Sequence, residues 1–327
     1  MSNDDRFDLH VWGDRLRFEG FRSSELDELF EWFAGSIDLV DDRLDPSLTI
    51  RIVRSPVIPP SGLRSTVRHR GGISGRKFFL DGTPFDQTSQ TRDVDIVSDE
   101  SPALCCYSVD GALFVTTREA ALVMAAEPPP MLLADLVENW LLWRAREAGA
   151  VMAHGSGWIH ADAVHMLVGH SGVGKTTELF RQVATGAEFF SNDRIALTLR
   201  DGTLVARNFP QPVNIGCGTI RSLGMDLPTF DLGDRSKIRL MPPEVLERWA
   251  PTYERWYPVE AIHTPSWEEI QENVYWAGDP DHPFWNRALR PQVLNERMDL
   301  ERAIKERLIT GWQSPPAELE SVRGGGE

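Results

Sequence analysis

The segment Ala163-Val164-His165-Met166-Leu167-Val168-Gly169-His170-Ser171-Gly172-Val173-Gly174-Lys175-Thr176 runs from an apolar, strand-like stretch into a glycine-spaced turn. From Gly169 onward it satisfies G-x-x-x-x-G-K-[ST] at every fixed position, and a helix-like run carrying Leu179, Phe180 and Val183 follows. Strand, glycine turn and helix in that order aim several backbone N–H groups at one spot and add the positive end of a helix. The ligand such a turn suits is a chain of phosphates. The residues expected to touch it are Gly169, Ser171, Gly172, Val173, Gly174, Lys175, Thr176 and Thr177. Lys175 would reach the outer phosphates, and Thr176 would ligate Mg²⁺.

The next carboxylate that could complete such a site is Asp193, which follows one helix and the short run Glu188-Phe189-Phe190-Ser191-Asn192. An acid at this distance can hold a metal, directly or through water, or accept a proton from an attacking hydroxyl. The plainer alternative is a turn aspartate that caps Arg194. Motifs of other nucleotide users are missing: there is no Asn-Lys-x-Asp, no Leu-Ser-Gly-Gly, and neither His-Arg-Asp nor Asp-Phe-Gly.

Two further features flank the loop. His154-Gly155 precedes the two strand-like runs that lead into it, and Gly186-Ala187-Glu188-Phe189-Phe190-Ser191-Asn192-Asp193-Arg194 comes after its helix. Together with the loop they resemble the catalytic domain of the HPr kinase/phosphorylase family, which has a phosphoenolpyruvate-carboxykinase-like ATP-binding fold. The likeness is confined to His154–Gly218. It implies an α/β, P-loop-containing core that transfers the γ-phosphoryl group of ATP to a hydroxyl. The acceptor would be a serine of a peptide or protein, or a small alcohol. It also implies Mg²⁺ held by Thr176 and Asp193, phosphate charge neutralised by Lys175, and His154 at the catalytic site with Asp193. A structural histidine at a strand start is the other reading of His154. Members of the family are often oligomeric, so a homo-oligomer is implied too.

The departures from that pattern matter. Asn192 stands where the family has the first aspartate of a pair, a position associated with proton transfer. An amide is no base at neutral pH, so either Asp193 serves both duties or transfer is lost and the chain is an ATP-binding regulatory protein. Val213-Asn214-Ile215-Gly216-Cys217-Gly218 keeps two family glycines without the charged residues, which makes reverse phosphorolysis unexpected. A carboxykinase-like small-molecule enzyme would need a second metal and anion-binding arginines that the sequence does not mark out. Lys237 and Arg239, and more weakly Arg207 and Arg221, are further candidates for neutralising phosphate.

The chain has 327 residues, 41% hydrophobic and 25% charged, with a formal net charge of −15. That length allows two domains and an ample core. The acidic balance argues against broad binding of nucleic acid or anionic membrane. No apolar run approaches the roughly 20 residues that span a bilayer, and the polar start Met1-Ser2-Asn3-Asp4-Asp5-Arg6 is unlike a secretory signal. Cys105, Cys106 and Cys217 show no metal spacing and no disulfide framework. A cytoplasmic protein is expected. One stretch runs against the overall charge: Arg51, Arg54, Arg64, Arg68, Arg70, Arg76 and Lys77 occur with no acid between them. It reads either as a loop that docks an acidic peptide or phosphorylated ligand, or as a solvated connector.

Pro128-Pro129-Pro130 suggests a boundary. It divides a β-rich α+β domain over 1–127, suited to substrate recognition, from an ATP-binding catalytic domain over 131–327. In the first, Arg15–Phe18, Leu48–Val53 and Phe78–Leu80 read as strands, and Asp110-Gly111 as a hairpin turn. One helix presents Leu26, Leu29, Phe30 and Phe33, with Ser24 as its cap. In the second, a helix over about 131–148 carries the stripe Leu132, Leu133, Leu136, Val137, Trp140 and Leu141. Strands are expected near 156–160, 163–168, 195–199 and 237–240. Trp249, Trp256, Trp267, Trp276, Trp285 and Trp312 suggest a packed helical C-terminal part, or else a stacking platform for a ligand. Val293–Ile309 reads as a closing helix, and Gly324-Gly325-Gly326 as a disordered tail.

Overall fold

The computed structural model describes residues 6–40, 45–54, 66–70, 77–78, 84–85, 93–97, 105–109, 112–116, 120–125, 130–169, 172–227, 237–264, 274–275 and 302. The strands of the N-terminal half are β1 (Arg6–Val11), β2 (Asp14–Glu19), β3 (Ile37–Leu39), β4 (Leu48–Val53), β5 (Thr66–Arg70), β6 (Lys77–Phe78), β7 (Pro84–Phe85), β8 (Asp93–Val97), β9 (Cys105–Val109), β10 (Ala112–Thr116) and β11 (Ala120–Met124). Those that follow are β12 (Val151–His160), β13 (Ala163–Val168), β14 (Glu188–Arg200), β15 (Thr203–Asn208), β16 (Val213–Gly216), β17 (Lys237–Leu240), β18 (Tyr257–His263) and β19 (Val274–Tyr275). The helices are α1 (Asp27–Trp32), α2 (Pro130–Glu147), α3 (Lys175–Ala184), α4 (Cys217–Leu223) and α5 (Pro242–Trp249). The fold is therefore mixed α/β with several sheets.

These elements gather into two compact units that interleave along the chain. The first draws on Met1–Ala148 and Phe209–Glu254, the second on Gly149–Asn208 and Arg255–Trp276. This grouping differs from a division at the three prolines. The reason lies in α2, whose buried stripe of Leu133, Leu136, Val137, Trp140 and Leu141 belongs to the first unit's core. Glu138 on α2 accepts a hydrogen bond from Trp32 Nε1 of α1 at 3.2 Å, and Arg144 pairs with Asp14 at 3.4 Å.

In the first unit a seven-stranded sheet has the order β3-β1-β2-β4-β11-β10-β9. Alternation along β1, β2 and β4 sends Leu9, Val11, Leu16, Phe18, Leu48 and Ile50 into its core. β9 and β10 pair antiparallel, on either side of Asp110-Gly111, which lies outside the described residues. Ser24 is not a helix cap. It sits in a 3-10 turn, Ser23–Glu25, closed by Arg22 N donating to Glu25 Oε2 at 2.8 Å. Of the basic stretch, Arg51 is paired with Glu19 and Arg54 with Glu25, at 2.6 and 2.7 Å. The β5–β8 register sets Arg68 opposite Asp95 and Arg70 opposite Asp93. Residues 55–65 and 71–76 of that stretch are outside the described set.

The second unit is a sheet that closes on itself. Its order is β13-β18-β15-β14-β12, and β12 also pairs with β13, so five strands form a small barrel with β19 on the β12 edge. Only β13 and β18 run parallel among these pairs. Val151, Ala153, Ile159, Val164, Met166, Phe190, Ile195, Leu197, Val259 and Ile262 fill the core. Gly155 and Gly157 of β12 point the same way: a Cβ on Gly155 would meet Val168 Cγ1 at 2.9 Å, and one on Gly157 would meet Phe190 and Ile195 at 3.1 Å. The even-numbered residues of β12 therefore line the outer face. α3 covers that face with buried Leu179 and Phe180, the latter against Phe189 with ring centroids 6.0 Å apart. Of the tryptophan-rich C-terminal region, Trp249 ends α5, and Trp256 lies under the Arg200 guanidinium at 4.4 Å, next to β18. Around these two residues the described chain is the helix α5 and the strand β18. The expected helix at 293–309, the glycine tail and the remaining four tryptophans lie outside the described residues.

Candidate functional site

β13 ends at Val168, the turn follows, and α3 begins at Lys175. Gly172 and Gly174 have φ of 90° and 95°, values that L side chains rarely adopt. A Cβ built on either would meet nothing within 4 Å, so the space above the turn is open. No side chain caps α3 at Gly174. The helix presents its first backbone N–H groups as an anion site requires. Lys175 is 8% exposed, and its Nζ donates to the carbonyl oxygen of Gly169. Val173, Thr176 and Thr177 are half-buried; His170 and Ser171 are outside the described residues. Open space, positive-φ glycines, an uncapped helix start and a buried ammonium fit the phosphates of a nucleotide. The hydroxyl of Thr176 is a hard ligand of the kind Mg²⁺ takes.

Opposite the start of α3, β12 and β14 run antiparallel, with Ser156 facing Asn192, Gly155 facing Asp193 and His154 facing Arg194. Asn192 Oδ1 accepts from Ser156 Oγ and from Thr176 Oγ1, both at 2.9 Å. Asp193 Oδ1 lies 2.8 Å from His154 Nε2. His154 and Ser156 share the outer face of β12, so two consecutive residues of β14 engage one face. Regular pleating forbids this, because neighbours in a strand point to opposite sides. The exception has a visible cause: Asp193 has φ of 125°, a rare value for a residue other than glycine. The twist turns the carboxylate away from the core face it would share with Gly155. It lands in half-exposed space, with side-chain exposures of 50% for Asp193 and 26% for His154.

The same outer face continues into an aromatic ladder. Trp158 stacks on His165 and His263 with centroids 6.0 and 5.8 Å away, and the two imidazoles are 6.2 Å apart. Burial holds both histidines below the usual imidazole range. The neighbouring His160 pushes His165 further down, and His165 does the same to His263.

The structure thus brings Lys175, Thr176, Asn192, Asp193 and His154 to one end of the barrel. Thr176 turns to Asn192, while Asp193 turns to His154. Arg207 lies on β15 of this unit, whereas Arg221, Lys237, Arg239 and the Val213–Gly218 segment belong to the other. Sequence reading missed Ser156. The signal was there in β-strand alternation, since Ser156 is the next residue on the face that carries His154. Among the described residues, no group of three or more His, Cys, Asp or Glu is arranged to hold a metal ion. No described helix is long and apolar enough to cross a membrane.

No protein-family model matches the chain. No curated protein sequence matches it. Among solved structures, the Hpr(Ser) kinase/phosphatase from Coxiella burnetii is similar at 13% identity and a TM-score of 0.22. That match covers 35% of this chain and 58% of the other, so the chain spans less than two thirds of that protein's length.

Proposed function

We propose that the second unit is an ATP- and Mg²⁺-dependent phosphotransferase with a hydroxyl acceptor. The observation that carries this reading is the strained Asp193. Its carboxylate is twisted onto the face that bears the phosphate loop and is held there by His154. A loop that merely binds nucleotide has no need of a carboxylate placed at such conformational cost.

In this reading Lys175 moves its Nζ contact from the Gly169 carbonyl to phosphate oxygens and offsets their charge. The first-turn amides of α3 hold the same phosphates. Mg²⁺, when bound, withdraws charge from the transferring group; Thr176 Oγ1 would hold it. Asp193 was expected as the second metal ligand. Its pairing with His154 favours the other duty weighed for it. His154 Nε2 fixes Oδ1, and Oδ2 takes the proton of the acceptor hydroxyl as the new oxygen–phosphorus bond forms. The bond between the γ-phosphorus and its bridging oxygen breaks at the same time, and ADP leaves. The protein contributes placement and charge rather than covalent chemistry.

The half-exposed setting of Asp193 suits an acceptor presented from solvent, such as a serine of a peptide or protein or a small alcohol. The test incubates the protein with Mg²⁺ and γ-labelled ATP against serine peptides, proteins and small alcohols, beside Asp193→Asn. Label should move to a hydroxyl in the native protein and not in the variant, with nucleotide binding retained in both. Tight binding without transfer or hydrolysis in the native protein would instead favour an ATP-binding regulatory protein.

A further inference from the structure

We infer that Asn192 and Ser156 are positioning residues that build an uncharged metal seat beside the loop, so that a divalent cation joins the protein only together with nucleotide phosphates. This rests on the phosphate-loop reading above. The observation is one amide oxygen with two hydroxyl donors, Ser156 Oγ and Thr176 Oγ1, each at 2.9 Å. Ser156 is 1% exposed and Asn192 is 5% exposed.

A carbonyl oxygen has two lone pairs, and both are engaged here. That fixes the amide against rotation. Ser156 ties it to β12, and Asn192 passes the register of the barrel to the first turn of α3. The single hydroxyl proton of Thr176 is committed to Asn192, which directs its lone pairs away from the amide. A cation on the loop would need the hydroxyl in that orientation. The charge is the distinctive part. An aspartate at 192 would accept the same two hydrogen bonds and bring a negative charge with them; the amide brings none. Asp193, adjacent in the strand, is turned to His154 at 2.8 Å. Mg²⁺ gives up its water reluctantly, and one hydroxyl set against a neutral amide offers it little in return, since both lone pairs of that amide oxygen are already taken. The missing charge must come from phosphate oxygens.

The experiment uses the full chain and Mn²⁺ as the probe, read by loss of the free-ion paramagnetic resonance signal, first without nucleotide and then with ATP. ATP affinity is measured by calorimetry with Mg²⁺ and with the metal chelated away. The native protein should leave Mn²⁺ free until ATP is added. Asn192→Asp should take up Mn²⁺ without nucleotide, at least about tenfold more tightly than the native chain, an opposite charge at contact distance being worth that much. Ser156→Ala should bind metal-free ATP as the native chain does yet lose about three- to tenfold of the affinity that Mg²⁺ adds, the scale of one hydrogen bond. A merely structural role would weaken ATP binding with and without metal alike. Micromolar Mn²⁺ uptake by the nucleotide-free native protein would overturn the inference. So would variants with unchanged metal dependence. ATP binding that is absent, or indifferent to Lys175→Met, is a separate result: it removes the loop reading, and this inference with it.

Discussion

Replacing Asp193 with glycine should abolish phosphoryl transfer while leaving the fold as stable as before or more so. The residue has φ of 125°, and an L side chain held in such a region costs on the order of 1–3 kcal/mol. Glycine releases that strain. It gives back roughly 0.4–1 kcal/mol through the freer unfolded chain, and it loses the pair with His154. With side-chain exposures of 50% and 26%, that pair is worth at most about 1 kcal/mol in solvent-screened surroundings. The informative control is Asp193→Ala, which loses the same pair and keeps the strain. The glycine variant should therefore be more stable than the alanine variant by roughly 1–2 kcal/mol, a gap of about 4–8 °C per kcal/mol in melting temperature for a unit of this size. Thermal melts of the three proteins, with label transfer measured on each, decide the matter. A glycine variant that melts at or below the alanine one would refute the claim that position 193 stores strain. One that still transfers phosphate would refute the role of its carboxylate.

Lys175→Met keeps the buried apolar stem and removes the ammonium. ATP affinity should fall by about a hundredfold or more, two charge-assisted contacts being worth some 3 kcal/mol or above, while the melting temperature changes little; calorimetry showing affinity within threefold of native would exclude the loop from binding. A second expectation concerns pH. His165 and His263 are held below the ordinary imidazole value of about 6.5 by burial and by the adjoining imidazole, with Glu260 and Glu178 respectively acting the other way. The folded state then binds these protons less readily than the unfolded chain, so the ladder's contribution is complete above pH 6.5 and is lost as pH falls through the lower folded values. The melting temperature should drop below that pH. The drop should shrink in His263→Phe, which keeps a ring on Trp158 without a titratable nitrogen; an identical slope in that variant would remove the ladder from the pH response.

What could be read from sequence was what is local. The β13–loop–α3 segment emerges with its expected strand and helix because each part is specified by adjacent residues: an apolar run, spaced glycines, then an amphipathic face. Leu48–Val53 and Lys237–Leu240 emerge for the same reason, as β-branched or alternating runs. Barrel closure was not legible. It depends on β13 pairing with β18 as well as with its hairpin neighbour β12, and β18 lies far along the chain, with side chains that carry no mark of their partner. The affiliation of α2 with the first unit was hidden likewise, since a proline run reports a break in local structure and not which core the next helix joins. At the site, Lys175 and Thr176 were named by their motif, but the partner of Thr176 was not. Motif logic assigned it the next acid, Asp193. A three-dimensional register was needed to put Asn192 opposite Ser156 and to reveal the twist that sends Asp193 elsewhere.

That twist also explains why the site sits on a closed barrel. Two adjacent strand residues can serve one face only if the backbone between them leaves the pleat, and an open or fraying strand would relax back to regular geometry. Here β14 is paired with β12 along Glu188–Leu197, through the stretch that holds Asp193, and β15 takes up its other edge from Ile195, two residues on. Pairing with β12 through position 193 and with both neighbours from Ile195 holds the strand, and such support is the condition under which strain persists. Core-facing Gly155 is part of the same arrangement. It stands opposite Asp193, where a Cβ would strike Val168 at 2.9 Å and the Leu167 carbonyl at 3.1 Å. Its bare backbone lets β13, the strand that delivers the phosphate loop, lie close to the strand that presents His154 and Ser156. Loop, carboxylate and amide are thus carried by neighbouring strands of one barrel, the kind of support that would hold the groups of the proposed site in place.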